Sequence, residues 1–281
     1  VVQVFDFGRF GGTLFIAMEF VDGLDLAAFL KRYRDAGERV PPAAAFHIAI
    51  EIVRGLDFAH QRGVVHRDVS PSNVLLSRAG EVKIADFGIA QPVGDRTERA
   101  QTGPRRRIMG KWRYMSPEQT RGEALTPRSD LFSAAVMLHE LFTGEKLFPG
   151  DEAEKIIECI HSMALPKASV LRPGLPPRLD DILGRALARD PKDRPVRAAE
   201  LVRSLTELSY ESSIVCTALE VAEAVAWALE HGDGPLAPGA EPIGGGAAAA
   251  AGGKRGLDDL IRAQQLGGAD RSVLRVARQG A

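Results

Sequence analysis

Between Asp130 and Thr143 the run LFSAAVMLHELF is apolar nearly all round. A helix without a polar face has to sit inside the molecule, with other elements packed about it. That segment predicts a mainly helical unit built around one buried helix. At 281 residues, 45% of them hydrophobic, the chain is long enough to bury such a core in one or two domains.

The rest of the pattern surrounds that helix. Phe46, Ala49, Val53, Leu56 and Ala59 recur at helical spacing from Pro42 to about Arg62, with Pro41 and Pro42 marking the start and Gly63 the end. Helical patterns also run from Asp25 to about Arg34 and over 152–163, 179–188 and 197–209. Residues 1–21 alternate in short apolar runs around Gly8, Gly11 and Gly12, which predicts a β-hairpin. Short strands are predicted at Val64-Val65, 74–76 and 82–85. The stretch from Ile214 to Leu229 is interrupted by Glu220 and Glu223, which suits an amphipathic helix and not a membrane span of about 20 apolar residues. After residue 232 the sequence GDGPLAPGAEPIGGGAAAAAGG reads as a flexible linker, followed by a weakly helical tail. The expected organisation is a hairpin at 1–21, a helical lobe at 22–210, an extra helix at 211–231, a linker at 232–255 and a tail at 256–281.

Charge and cysteine content narrow the function classes. With 36 basic and 37 acidic residues, and a formal net charge of −1, no general attraction to nucleic acid is expected. Two cysteines, Cys159 and Cys216, make neither a disulfide framework nor a metal-ligand spacing. No basic-then-apolar signal opens the sequence and no membrane segment is read in it, so the expectation is a cytoplasmic protein.

The chemistry lies in three motifs that occur in order. His66-Arg67-Asp68 precedes Asn73 by a short loop, Asp86-Phe87-Gly88 follows a predicted strand, and Ser116-Pro117-Glu118 comes later. Each residue alone would read as a turn or cap. Together they resemble the Hanks-type, eukaryotic-like serine/threonine protein kinases of bacteria over roughly residues 1–210. The resemblance implies an α+β, bilobal protein kinase-like fold, with a remnant β small lobe and a mainly α-helical large lobe. It implies ATP and Mg²⁺ as cofactors, Asp68 as catalytic base, and Asn73 and Asp86 as metal ligands. The segment Met18 to Gly23 is similar to the interlobe hinge. Met18 then matches the gatekeeper, Glu19 and Val21 offer backbone groups to adenine, Asp25 is placed for the ribose and Leu75 for the adenine floor. His66 and Phe87 match stacked spine positions, as Val4 does on the first strand. Gly88 completes the second motif, Glu118 pairs with Arg194, and Asp130 braces the catalytic loop.

Two departures from the family pattern bear on activity. The family's catalytic-loop Lys is replaced by Ser70, while Lys111 stands where a Thr is usual, which reads as a compensated exchange. The family's Gly-rich loop, strand Lys and helix Glu have no counterpart upstream of Val1. That reads as an N-terminally truncated kinase, or a naturally shortened pseudokinase-like binding or scaffold module, with a weak grip on nucleotide and an exposed hairpin.

Regulation and substrate follow from the same resemblance. Arg96, Arg99, Arg105, Arg106, Arg107 and Lys111 crowd the activation loop, Arg67 is the residue type that pairs with a loop phosphate, and Thr97 and Thr102 are candidate phosphosites. The loop DVSPSN favours a protein substrate with a Ser or Thr acceptor over Tyr. The C-terminal tail is a possible docking segment for a partner.

Overall fold

The structure, a computed structural model, describes residues 1–10, 13–87 and 111–232. Gly88, Thr97, Thr102, the predicted linker beyond residue 232 and the tail lie outside the described residues. The chain divides into two compact units: Val2–Asp22 belongs to one, and Val1 with the chain from Gly23 through the last described helix to the other.

The first unit is an antiparallel hairpin of β1 (Val4–Phe10) and β2 (Thr13–Met18). Its register pairs Phe7 with Ile16 and Val4 with Met18, with an irregularity between Val4 and Asp6. Phe7 is 80% exposed and Phe5 50%, an apolar face of the kind that edge strands leave open. Val4 is likewise exposed.

The second unit begins with a three-stranded antiparallel sheet of order β3-β4-β5: Gly23–Asp25, Val74–Ser77 and Val82–Ile84. The first of these strands was not predicted, because three residues carry too short a pattern to register. Asp25 then caps α1 (Leu26–Asp35), its carboxylate accepting from the Ala28 N–H at 2.7 Å. The helices that follow are α2 (Pro42–His60), α3 (Pro117–Thr120), α4 (Pro127–Thr143), α5 (Ala153–Ser162), α6 (Ala168–Leu171), α7 (Arg178–Ala186), α8 (Ala198–Glu211) and α9 (Ala218–Glu230).

Helix α4 is the axis of this unit. All its residues from Ser129 to Thr143 are buried, as a helix without a polar face requires. It starts four residues earlier than the apolar run, because Ser129 Oγ accepts from the Thr126 N–H at 3.1 Å and Pro127 suits the first turn. It stops at Gly144, whose φ of 78° needs a residue without a Cβ. Helix α2 lies against α4, α8, α9 and β5. Val64 and Val65 form no strand: they lie in the loop that leads to His66, whose backbone bonds turn inward to α4 and not along a sheet. Among the described residues no helix is long and apolar enough to cross a membrane.

Phe46 is fully buried in α2 and meets Phe142 of α4 edge-on, ring centroids 4.9 Å apart. Phe46→Ala is expected to cost about 3–5 kcal/mol of unfolding free energy. Urea denaturation measures it, and a loss under about 1 kcal/mol would mean that this seam is not central.

Candidate active site

The loop after α2 is shaped from below by one carboxylate. Asp130, 1% exposed in the first turn of α4, accepts from the backbone N–H of His66 at 2.7 Å and of Arg67 at 2.8 Å. His60, at the end of α2, adds a third bond from Nε2 at 2.8 Å. Arg67 thereby adopts φ 66°, a conformation that a non-glycine residue rarely takes. Its carbonyl is held as well, by Gln119 Nε2 at 2.8 Å. With both sides of Arg67 fixed, the position of Asp68 follows.

Asp68 gathers the polar groups around it. Lys111 Nζ donates to Asp68 Oδ2 at 2.5 Å, and the two side chains are 40% and 39% exposed. Asn73 Nδ2 donates to the same oxygen at 3.2 Å and to the Asp68 carbonyl at 2.7 Å. Ser70 is buried, and its hydroxyl lies 3.1 Å from Ser72 Oγ. Of the two residues of the expected exchange, Lys111 hydrogen-bonds the Asp68 carboxylate and Ser70 hydrogen-bonds Ser72.

The next motif is stitched to this loop through Ala85. Its N–H donates to the Asn73 carbonyl at 2.8 Å, and its carbonyl accepts from His66 Nε2 at 3.0 Å. His66 Nδ1 accepts from the Asp68 N–H at 3.3 Å. One ring nitrogen donates and the other accepts, which fixes the Nε2–H tautomer. The His66 and Phe87 rings lie 4.5 Å apart. Asp86, which follows Ala85 in sequence, has an exposed side chain and φ 57°.

A second anchor holds the Lys111 side. Trp112–Tyr114 form a single 3-10 turn, and Ser116 caps α3 in a box with Gln119. Glu118 takes two bonds from Arg194, at 2.7 and 2.9 Å, with both residues buried. Arg194 uses its remaining N–H groups on the carbonyls of Ala188, Arg128 and Arg189. Burial pushes the Glu118 carboxyl up, but the hydrogen bonds from Arg194 and Ser129 and the Arg194 charge outweigh it and hold the group below its ordinary 4.5. Glu140 of α4 joins the Tyr114 hydroxyl at 2.5 Å to Arg34 of α1 at 3.0 Å. Burial, then that carboxylate, push the Tyr114 hydroxyl well above the usual range.

Of the expected nucleotide residues, Met18, Glu19 and Val21 belong to the hairpin unit, and Asp25 and Leu75 to the helical unit. The Glu19 N–H donates to the Gln3 carbonyl at 2.9 Å. Asp25 and Leu75 are directly paired across β3 and β4. Gly88, Thr97 and Thr102 fall outside the described residues. Two supporting residues escaped sequence reasoning. His60 carried no signal beyond ending a helix. Gln119, three residues after Ser116, fitted a capping-box spacing that could have singled it out.

This arrangement matches a known family. Residues 1–205 match the protein kinase domain. The chain belongs to the protein kinase family. It is 36% identical over 207 residues to the serine/threonine-protein kinase PknH of Mycobacterium tuberculosis, covering 74% of this chain and 32% of that protein. It is 35% identical over 214 residues to the probable serine/threonine-protein kinase PknB of Lactococcus lactis, covering 76% and 32%. The chain thus spans about a third of the length of these relatives. The crystal structure of the Mycobacterium tuberculosis PknI kinase domain, in a form with one cysteine changed to alanine, superposes with a TM-score of 0.55 at 32% identity, covering 74% of this chain and 71% of that one. The α+β fold is therefore that of a protein kinase.

Glu118→Gln would leave the buried Arg194 guanidinium facing a neutral amide, at an expected cost of about 3–5 kcal/mol. A carboxyl held below its ordinary value stabilises the fold fully above about pH 4.5 and loses that contribution as the pH falls through the lower folded value. Thermal melts from pH 7 to pH 3 should show that acid-linked loss in the parent and a smaller one in the variant. Equal slopes would remove Glu118 as its source.

Proposed function

We propose that this chain transfers the γ-phosphate of ATP to a serine or threonine hydroxyl of a protein substrate. The carrying observation is the convergence of Lys111 and Asn73 on one oxygen of Asp68. Phosphoryl transfer is catalysed mainly by positioning and by charge placed where the transferring group becomes negative. Asp68 orients the acceptor hydroxyl and takes its proton. Lys111 keeps a positive charge beside that base, in the role usually filled from the catalytic loop.

The oxygen donors suit a hard divalent cation. Asn73 spends its amide N–H groups on Asp68, which leaves its carbonyl oxygen as a ligand, and Asp86 supplies a carboxylate. Bound Mg²⁺ would screen the charge of the triphosphate. Asp25 and Leu75, paired across β3 and β4, are assigned to the nucleoside. Arg67, whose side chain is exposed, is assigned to a phosphate on Thr97 or Thr102, and the tail to partner docking. Free Cys159 and Cys216 suit a reducing cytoplasm.

Lys111→Ala should lower turnover at least about tenfold, the scale of one lost transition-state contact of about 1.4 kcal/mol. Steady-state phosphate transfer to a Ser/Thr protein substrate tests this, and unchanged turnover would strip Lys111 of the role. Mg·ATP should also raise the melting temperature of the parent but not of Asp86→Asn, since a ligand bound only to the native state stabilises it. No shift in the parent would favour a kinase-like binding module instead.

A further inference from the structure

Helix α9 lies beyond residue 205, where the family match ends. It is nevertheless fully docked. Val221, Ala224, Val225 and Ala228 form a buried face, and α9 lies against α1, α2 and β4.

Its two ends are held by specific contacts. At its start, the Ala218 carbonyl sits over Gly80 in the β4–β5 turn, so close that a Cβ there would come within 1.8 Å of it. Gly80 also has φ 84°, so that position is closed to other residues twice over. At its far end, Arg32 of α1 donates to the Ala228 carbonyl at 2.9 Å and the Tyr33 hydroxyl to the Ala224 carbonyl at 3.2 Å. A cation near the carbonyl end of a helix is favoured by the helix dipole. Trp227 stacks on Tyr33, ring centroids 4.3 Å apart.

These attachment points belong to the elements that present the nucleotide-side residues. Arg32 and Tyr33 lie on α1, the helix that Asp25 caps. Gly80 closes the turn between β4, which carries Leu75, and β5, which leads to Asp86. We infer that α9 is a positioning element for the candidate nucleotide site: gripping α1 at one end and the β4–β5 turn at the other, it fixes the β3–β4 ladder in which Asp25 faces Leu75. Trp227 is its principal positioning residue. The functional meaning rests on the kinase reading above; the mechanical coupling does not.

Hydrogen–deuterium exchange on the chain without nucleotide separates the two. In Trp227→Ala, the amides of β3 and β4 should exchange at least about tenfold faster, while those of α7, away from the seat of α9, stay as in the parent. Trp227→Phe, which keeps a ring on Tyr33, should restore protection. Unchanged exchange in β3 and β4, or the same acceleration in α7, would overturn the inference by showing no coupling or only general loosening. If Trp227→Ala does not fold, Tyr33→Phe makes the same comparison, because it deletes only the hydroxyl bonded to Ala224. About threefold faster exchange confined to β3 and β4 is then expected, and none would overturn the inference. A chain that failed to transfer phosphate would leave this measurement unaffected.

Discussion

A single buried carboxylate organises the site. Asp130 lies where the core helix begins, so its negative charge sits in a helix first turn and is favoured there. It receives backbone N–H groups from His66 and Arg67 and a ring nitrogen from His60. Charge-assisted bonds of this kind are roughly twice as strong as neutral ones. They offset the strain of Arg67, whose left-handed backbone costs on the order of 1–3 kcal/mol. The loop carrying Asp68 is thus tied to a helix that is buried from Ser129 to Thr143.

The opposing segment has its own anchor. The Glu118–Arg194 pair is buried, bidentate and saturated on the guanidinium side, so it holds residues 111–120 against the same helical core. Gln119 links the two anchored segments by donating to the Arg67 carbonyl. Lys111 and Asp68 meet between them. Their ion pair is about 40% exposed, and exposed pairs contribute roughly 0–1 kcal/mol to stability. Its importance to the fold is positional: the buried network supplies the stability, and the exposed pair joins the two anchored segments.

Much of this was legible in the sequence wherever the signal was local. Helical periodicity marked α2 and the core helix, Pro41 and Gly63 bracketed α2, and the motif order identified Asp68, Asn73 and Asp86 as residues to watch. Signals failed where structure depended on partners. Val64 and Val65 looked like a strand because short apolar runs do, yet their loop is bent by bonds to Asp130. The strand β3 is too short to have a period and exists only because β4 lies beside it. The amphipathic stretch from Ile214 was readable as a helix, but nothing local revealed its seat against Gly80, Arg32 and Tyr33.

The sequence by itself determined the helical core, the hairpin and the kinase motifs, because periodicity, capping and short spacings are properties of neighbouring residues. Tertiary structure alone decided which polar groups meet. Ser70 and Lys111 were read together as an exchange; in the structure Ser70 hydrogen-bonds Ser72, and Lys111, 43 residues from Asp68, reaches its carboxylate. Contacts across that separation are set by where two anchored loops end in space, and sequence spacing does not carry that distance.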